Sequence, residues 1–575
     1  MATTAREERE FLNLPFKEKL EFLYGLPARK KMDLILSAPE AARLVQSFSP
    51  ETLFYTLKEI GLADASDLLG MALPEQFKGL VDLDCWNKDR PNLERLREWL
   101  EALSEAGRSR TAEALMALDI ELVTLFFRQY VKVYRLEEVQ QALDVPVETI
   151  VQFDDHYAVE FIRHDAATSM VQELLEEIFE RDYEYFANLM EEIYWGVEAE
   201  LEEHAYQFRR ARLSDRGFPD FFEAQEVFAY LNPAEFDRIR QSYVKCNRES
   251  LLTEDQDAGE LALVIAGAED SLFNTALKVG FSGPAQHQLR SESALVANQV
   301  LAARAVDFGD LEAVRNAIRL THDYLNVALE HLAGGDLRTA IEYLRDTHVK
   351  LLFRLGVSLT IDLRTRAERV LAELGLSKKE GRDVPYLDTP YREAFSGFLE
   401  KLPTFYGGLD GDGSVTWRAF RRMRDLHIAH RVLDQIAVMP KLFRELNGLD
   451  ITSASFRAQA AGREIRLSQL LLTSLVRACA MGESLVPHPF EPTDLQRVCK
   501  RLIDPECTNG RRLRNEFLDS VNTLLEAKLS TETRKQSADF VKSCLNLLEE
   551  EIGNLNDDSA KSARYLRSLL FRGNQ

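Results

Sequence analysis

Two histidines and an aspartate in one stretch of the sequence have the spacing of metal ligands. In RRMRDLHIAHRVLDQI (421–436), a helical projection places His427, His430 and Asp434 within about 60° of one another. Residues three or four apart share a helix face, and neutral imidazole and carboxylate groups bind divalent metals well. Because Leu426 lies beside them, this face is predicted to be the apolar one, where polar groups need partners. The pattern therefore predicts a metal site or a hydrogen-bonded cluster inside the core.

A metal at this helix would need further ligands, because one helix supplies three at best. The corresponding function would be a metal-dependent hydrolase or a divalent-cation sensor. Arg424 and Arg431 lie on the neighbouring arc of the projection, so a phosphate site is a third interpretation. In the interpretation that we favour, the histidines are bonded to Asp434 or to the backbone, and no cofactor is expected.

A second group of residues is acidic. In a helix predicted to begin near Ser169, glutamates recur on one face and apolar residues on the other. The acidic surface, as we call it, consists of Glu173, Glu177, Glu180, Glu184 and Glu191. It is either a solvated face or a dock for a basic protein partner or for divalent cations. Arginines follow directly, so part of the surface could be neutralised internally; they are Arg209, Arg210, Arg212 and Arg216.

Sequence motifs of catalysis are missing. The sequence contains no GxSxG nucleophile motif and no GxxxxGK[ST] phosphate loop. The six cysteines are scattered without a CxxC pair, as is typical of reduced thiols in a cytosolic protein. The leading hypothesis is a scaffold or regulatory protein without catalytic activity that binds a protein partner.

Composition and charge narrow the class further. The chain has 575 residues, of which 45% are hydrophobic and 29% charged, as expected for a folded protein. Its net charge of −23 repels phosphate backbones, so no nucleic-acid partner is expected. The first residues lack the apolar core of a secretory signal, and no apolar run reaches the roughly 18 residues of a membrane span. We therefore expect a cytoplasmic protein without a transmembrane segment.

Prolines at nearly regular spacing organise the first part of the chain. They begin units such as LPFKEKLEFLYG and SPETLFYTLKEIG, and they are Pro15, Pro27, Pro39, Pro50 and Pro74. Proline is tolerated at the first helical position, where its missing N–H would be unpaired anyway. Helices this short are marginal alone and must stack on their neighbours. The pattern predicts a superhelix of short proline-led helices over residues 14–84.

Two resemblances to known families follow from these segments. The proline-led units, with motifs such as SPETL and LPEQF, resemble the cytosolic helical domain of MgtE-type magnesium transporters and the related module of flagellar switch proteins. The transporter's membrane part is absent, so transport is not implied. Three further segments are similar to a family of long bacterial proteins known as a domain of unknown function; they are LVDLDCW near 81–86, FDDHYAVEF (153–161) and RARLSDRGFPDFFEA (210–224). That resemblance implies an all-helical cytosolic protein and supplies no catalytic residues.

Beyond the proline-led units the chain is predicted to be helical, with one exception. VKVYRL (131–136) and YAVEFI (157–162) have the β-branched and aromatic residues of strands and are predicted to pair as a small hairpin across a loop that contains Pro146. The stretch 328–348 predicts a helical hairpin that turns at Gly334–Gly335, with Asp336 as the next N-cap. The fold class is therefore mainly all-α. Four domains are expected, over residues 1–125, 126–232, 233–380 and 381–575.

Overall fold

The structure is a computed structural model, and it divides the chain into two compact units. The described residues are 2–24, 26–137, 150–247, 271–377, 379–410, 415–463, 465–503, 513–553 and 566–572. The first unit is Met1–Leu355 and the second is Gly356–Gln575. Both consist mainly of helices, which confirms the predicted fold class. The four domain boundaries expected from the sequence stay a prediction.

Short helices fill the first part of the first unit. They are α1 Ala2–Asn13, α2 Phe16–Tyr24, α3 Ala28–Ser37, α4 Ala41–Gln46, α5 Pro50–Ile60, α6 Ser66–Met71, α7 Pro74–Asp84, α8 Leu93–Ser104, α9 Arg108–Met116 and α10 Ile120–Arg128. Pro50 and Pro74 are first helical residues, and the Ser49 hydroxyl accepts a hydrogen bond from the Thr52 N–H at 3.2 Å to cap α5. Helix α3 packs on α5, α5 on α7, and α7 on α9. Short helices are thus confirmed here and two of them are led by proline, whereas a superhelix of proline-led units over residues 14–84 stays a prediction.

Two small antiparallel sheets interrupt these helices. Strands β1 Trp86–Asn87 and β2 Arg90–Pro91 form a hairpin directly after α7. Strands β3 Val131–Arg135, β4 Ile150–Gln152 and β5 Tyr157–Phe161 form a sheet in the order β3-β5-β4. The predicted pairing of β3 with β5 is confirmed, and β4 adds a third strand that the sequence analysis did not predict. Pro146 lies outside the described residues.

The predicted long acidic helix is in fact two helices. Helix α11 spans Ala166–Arg181 and α12 spans Tyr183–Trp195. Asp182 separates them with an extended backbone, φ −148° and ψ 94°, and its carboxylate accepts the Tyr185 N–H at 2.9 Å. The expectation of one continuous helix was wrong because an aspartate that caps the second helix stops the first one.

Further helices, most of them longer, complete the first unit. They are α13 Glu198–Asp215, α14 Phe221–Ala224, α15 Phe236–Asn247, α16 Leu272–Gly280, α17 Gly283–Ala303, α18 Leu311–Ala333, α19 Leu337–Asp346 and α20 Val349–Glu373, within which the boundary between the units falls. The predicted turn between α18 and α19 is confirmed. Gly334 ends α18 with φ 57°, and the Asp336 carboxylate accepts the Thr339 N–H at 2.9 Å.

The second unit is built around one long helix. Its elements are α21 Tyr391–Phe398, β6 Phe405–Tyr406, β7 Trp417–Arg418, α22 Met423–Asn447, α23 Ala454–Arg463, α24 Leu467–Leu475, a π-helical turn Val476–Ala480, α25 Leu495–Leu502, α26 Asn515–Lys528 and α27 Thr531–Gly553. Helix α22 packs along α27. Gln435 joins α21, α22 and α27 through bonds to the Tyr391 hydroxyl at 2.6 Å and to the Asp539 carboxylate at 3.0 Å.

Short 3-10 segments join several of these helices in both units. They are Ala63–Ala65, Gln225–Phe228, Pro233–Glu235, Glu380–Arg382, Gly407–Leu409 and Pro492–Asp494. Proline at the start of two of them again takes the position where a missing N–H does no harm.

Candidate functional site

The two histidines and the aspartate predicted as metal ligands lie on α22, but not on its buried face. His427 and Asp434 are exposed and His430 is half-buried. The buried stripe of α22 is formed instead by Leu426, Ala429, Leu433 and Ile436, which recur at helical spacing. The prediction that these polar groups lie on the apolar face was wrong, because packing against α21 and α27 covers the adjacent arc.

Arg366 of α20 brings two of the three residues together. Its Nη1 lies 3.0 Å from His430 Nδ1, and its Nη2 donates to the Asp434 carboxylate. Across the described residues, no three His, Cys, Asp or Glu side chains come together as a set that could hold a metal ion. The arrangement is a hydrogen-bonded cluster around an arginine, and the metal-site hypothesis for His427, His430 and Asp434 stays a prediction.

His430 should make stability depend on pH. Burial lowers the pKa of His430, and the charge of Arg366 lowers it further. As the pH falls through about 6.5, His430 binds a proton in the unfolded chain but stays neutral in the folded chain. The free energy of unfolding therefore decreases. We expect His430→Gln to lose less stability than the parent between about pH 7.5 and about pH 5.5, measured by urea unfolding. His427→Gln is the control, and an equal pH dependence in all three proteins would contradict this assignment.

The acidic surface is partly neutralised, but not by the arginines that follow it in the sequence. Arg108 Nε lies 3.0 Å from a Glu177 carboxylate oxygen, and Arg135 Nη2 lies 3.1 Å from one of Glu191. The Tyr157 hydroxyl also donates to Glu191, at 2.6 Å.

The other three glutamates of the acidic surface remain exposed. Glu180 meets Arg108 only at 3.9 Å, and neither Glu173 nor Glu184 forms an ion pair with any described residue. What is left of the predicted surface is therefore a smaller set of charges, and its role as a docking site stays a prediction.

A cavity that the sequence analysis missed lies in the first unit. Its volume is about 740 Å³, within the range of pockets that hold small molecules. The walls come from the end of α7, the β1–β2 turn, α13, the chain before α14, and the end of α17 with the loop after it. The aromatic lining residues are Trp86, Tyr206, Phe218, Phe221 and Phe308. The charged ones are Lys88, Asp89, Arg209, Arg210, Asp220 and Asp307.

Buried ion pairs hold the end of α7, which forms one wall of this cavity. Arg212 of α13 donates to both carboxylate oxygens of Asp82, at 2.8 Å each, and to both of Asp119, at 3.0 and 2.6 Å. Asp82 is only 1% exposed. Burial lowers the pKa of Arg212, but the hydrogen bonds that it donates to Asp82 and Asp119 and the charges of both carboxylates raise it overall. Arg212 is thus a structural group rather than a free cation.

Asp84, two residues further along α7, is the centre of a second network. Lys58 Nζ and Trp99 Nε1 both donate to its carboxylate at 2.9 Å. Arg95 Nη1 donates to the Asp84 carbonyl oxygen at 3.1 Å and, with Nη2, to the carboxylate of Asp307 at 3.1 and 3.0 Å. This network connects the loop after α17 to α7 and α8, so it fixes two walls of the cavity relative to each other.

Arg209 differs from these arginines because no described carboxylate forms an ion pair with it. Its Nε donates to the Asp82 carbonyl oxygen at 2.7 Å and its Nη1 to the Lys88 carbonyl oxygen at 3.3 Å. Its guanidinium lies over the Trp86 ring, 4.9 Å from the ring centre. Burial lowers the pKa of Arg209 to about 10, so the group is still charged at neutral pH. It is a half-buried cation that feels the charge of Asp82 but forms no direct ion pair with a described carboxylate.

Trp86 contributes a second unsatisfied group. It is 6% exposed, and its Nε1 N–H is buried without a hydrogen-bond partner among the described residues. Buried indole N–H groups normally find an acceptor. Trp86 is therefore a buried donor without an acceptor, and Arg209 beside it is a cation that no described carboxylate contacts directly.

Backbone strain is also concentrated here. Lys88 and Ala305 are the described non-glycine residues with positive φ, at 60° and 48°, and both line the cavity. A left-handed conformation costs a residue with a Cβ about 1–2 kcal/mol. Such strain persists only where the surrounding structure imposes it, and it recurs at functional sites.

Replacing Ala305 with glycine should therefore stabilise the protein. Glycine adopts φ near 50° without a steric penalty, so the substitution removes the strain from the folded chain. Glycine also has more conformational entropy in the unfolded chain, which opposes this gain in stability. Because the relief of strain is the larger effect, the free energy of unfolding should rise by about 0.5 kcal/mol. The matched control is Ala302→Gly in the last turn of α17, which should lower stability by about 0.5–1 kcal/mol. Urea unfolding measures both, and the same sign for the two variants would refute the strain at Ala305.

Several other described groups at or beside the cavity are either neutral or already paired. Cys85 is fully buried, and burial raises the pKa of its thiol well above the usual range, so no thiolate forms. Arg210 lies 3.7 Å from Asp220, and the hydrogen bond from Arg95 lowers the pKa of Asp307.

Nearly the whole chain matches one known protein family. The model of DUF6178, a family of unknown function, matches residues 8–572. The chain belongs to this family. No curated protein and no solved structure matches it. The resemblance to the MgtE-type helical domain is not supported by these comparisons. Within the part of the chain that the structure describes, no helix combines the length and the apolar character needed to cross a membrane.

Two of the three segments that indicated the family meet at the cavity. LVDLDCW contributes Leu83 and Trp86 to the lining, and RARLSDRGFPDFFEA contributes Phe218 and Phe221. The two segments are also joined by the ion pair of Asp82 with Arg212. The third, FDDHYAVEF, includes strand β5. The signal in the sequence was therefore the pair of segments, but nothing in either one showed that they are adjacent in space.

Proposed function

We propose that the protein is a cytosolic, non-catalytic scaffold or regulatory protein that acts by binding a protein partner. The observation that carries this proposal is a pair of exposed phenylalanines at the cavity. Helix α14 has only one turn and places Phe221 and Phe222 side by side, with ring centres 5.5 Å apart. Phe222 is 81% exposed and Phe221 44%. We call these two residues the phenylalanine pair.

Exposed aromatic rings favour association. Burying a phenylalanine side chain that was in water is worth about 1.5–3 kcal/mol, and aromatic residues are enriched at interfaces. Phe221 lines the cavity, whereas the Phe222 side chain is exposed to solvent. The partner that fits is a protein with an apolar groove that accepts the Phe222 ring.

The acidic surface supplies a second contact in this proposal. Glu173, Glu180 and Glu184 are exposed, and a basic partner would be attracted to them. Such attraction mainly raises the association rate and weakens with salt. Binding through the phenylalanine pair should depend little on salt, so the two contacts are separable by experiment.

The test begins with affinity purification of the tagged protein from its host at near-physiological salt. The co-purifying protein is identified, and its affinity is then measured by titration of the two purified proteins. We expect Phe222→Ala to weaken binding by roughly 10-fold to 100-fold, because truncating an interface anchor costs about 1.4–3 kcal/mol. The parent and Phe222→Ala should unfold at the same urea concentration, because Phe222 is exposed.

Val279→Ala is the matched control, because Val279 is an apolar residue that is 68% exposed elsewhere in the unit. Its affinity should equal that of the parent. Glu184→Lys should reduce binding at low salt and approach the parent at high salt. A partner that binds the parent, Phe222→Ala and Val279→Ala equally would overturn the phenylalanine pair as the contact, and the absence of any stoichiometric partner would overturn the scaffold proposal.

A further inference from the structure

The cavity also supports an inference that is independent of any protein partner. We propose that it binds a small organic anion that carries an aromatic ring, with the anionic group on Arg209 and the ring among the aromatic walls. Arg209 lacks a carboxylate partner, and Lys88, which is exposed on the β1–β2 turn, forms no ion pair with a described residue. An anion in the cavity would give both cations a direct ion pair.

The charges of the remaining lining groups are already compensated. Arg95 binds Asp307 through two hydrogen bonds, and Arg210 lies near Asp220. Three charged lining residues remain that form no ion pair with a described residue: Lys88, Arg209 and Asp89. Two of the three are cations, so together they favour an anionic ligand. A guanidinium can make two parallel hydrogen bonds to a carboxylate or a phosphate.

The walls specify the rest of the ligand. Phe218 and Phe308 meet edge to face, with ring centres 5.2 Å apart, and Trp86 and Tyr206 lie 6.3 Å apart on another side. Aromatic walls of this kind hold planar rings through offset and edge contacts. Shape and chemistry therefore fit a ring that bears one acidic group.

The rigidity of the site agrees with this assignment. The Asp84 network fixes the loop after α17, and two non-glycine residues are held in left-handed conformations at the cavity. A site that is ordered before binding loses less entropy when the ligand enters. A cavity of about 740 Å³ leaves room for a molecule of nucleotide size.

The probe is 1-anilinonaphthalene-8-sulfonate, a fluorescent aromatic anion, and its neutral counterpart is N-phenyl-1-naphthylamine. Titration of the full chain should give one anion per chain, bound at least about tenfold more tightly than the neutral probe. Arg209→Met should weaken the anion about tenfold or more and leave the neutral probe unchanged. Arg210 is a cation on the same wall that already has Asp220 nearby. Arg210→Met should therefore change the anion affinity less than about threefold.

A second variant protects the test if Arg209→Met does not fold. Ala302 is half-buried and lines the cavity, so Ala302→Leu should fill part of it and weaken both probes while leaving Arg209 in place. Unfolding curves establish that each variant is folded. Competition of the bound anion by adenosine 5′-monophosphate or by indole-3-acetate then separates a phosphate ligand from a carboxylate ligand.

Two results would overturn the proposal. One is equal affinity of the parent for the charged and the neutral probe, and the other is unchanged binding of the anion to Arg209→Met or to Ala302→Leu. Neither result bears on the contact proposed for Phe222, because Phe222 does not line the cavity.

Discussion

Replacing Arg212 with methionine is expected to lower the free energy of unfolding of the first unit by about 3–5 kcal/mol. Arg212 makes two hydrogen bonds to Asp82, which is 1% exposed, and two to Asp119. Removal of the guanidinium leaves the buried Asp82 carboxylate without its hydrogen-bonded cation, and Arg209 and Arg216 then act on it only through their charges. Asp119 is affected less, because Lys78 still reaches it at 2.9 Å.

The loss should depend on pH in a defined direction. Burial raises the pKa of Asp82, and Arg212 opposes this effect, so the pKa rises further in the variant. The folded variant then binds a proton that the unfolded chain releases, and its stability falls as the pH rises. The difference between variant and parent should therefore be larger at about pH 8 than at about pH 5.

Urea unfolding followed by tryptophan fluorescence measures this change, because Trp86, Trp99 and Trp195 all belong to the first unit. Arg210→Met is the control: its partner is 3.7 Å away and mostly screened by water, so its effect should stay within about 0.5 kcal/mol. If the Arg212 and Arg210 variants unfolded at the same urea concentration, the buried pairing would not be a major source of stability.

The second large effect is expected at Trp99. This residue is fully buried, stacks on Phe54 with ring centres 6.2 Å apart, and donates its Nε1 N–H to Asp84 at 2.9 Å. Trp99→Ala should cost about 3–5 kcal/mol through the cavity it leaves. Trp99→Phe retains most of the packing and removes one donor, so it should cost about 1–2 kcal/mol, since Asp84 keeps Lys58 and Arg95.

The same unfolding experiment, followed by circular dichroism, compares these variants with Trp195→Ala. Trp195 is 64% exposed, so its truncation should cost less than about 1 kcal/mol. Equal losses for Trp99→Ala and Trp99→Phe would mean that the hydrogen bond to Asp84 dominates. A loss near that of Trp195→Ala would show that α8 is not anchored through this side chain.

Local patterns in the sequence predicted much of the fold. Proline positions located the starts of α5 and α7, and β-branched residues located β3 and β5. The break at Asp182 was missed although an aspartate is a good N-cap, because the apolar spacing on either side continues without interruption. Periodicity alone does not distinguish one helix from two that share a capping residue.

The functional residues were harder to predict. On α22 the apolar arc is wide, so spacing could not show whether the histidines or the adjacent stripe would be covered; α27 decides this. The partner of His430 and Asp434 is Arg366, which is far away in the sequence. The cavity depends in the same way on segments near residues 86, 209 and 305, whose proximity only the fold establishes.

The three-stranded sheet also bears on self-association. Its central strand β5 is paired on both sides, so only β3 and β4 present edges. Strand β3 carries Lys132 and Arg135 exposed on its surface, and β4 has only three residues. Charged side chains and short edge strands discourage the addition of a strand from another molecule. These edges therefore protect the sheet, which is the only one of more than two strands among the described residues, against growing into intermolecular β-structure. Such protection lowers the risk of aggregation in a chain with exposed phenylalanines.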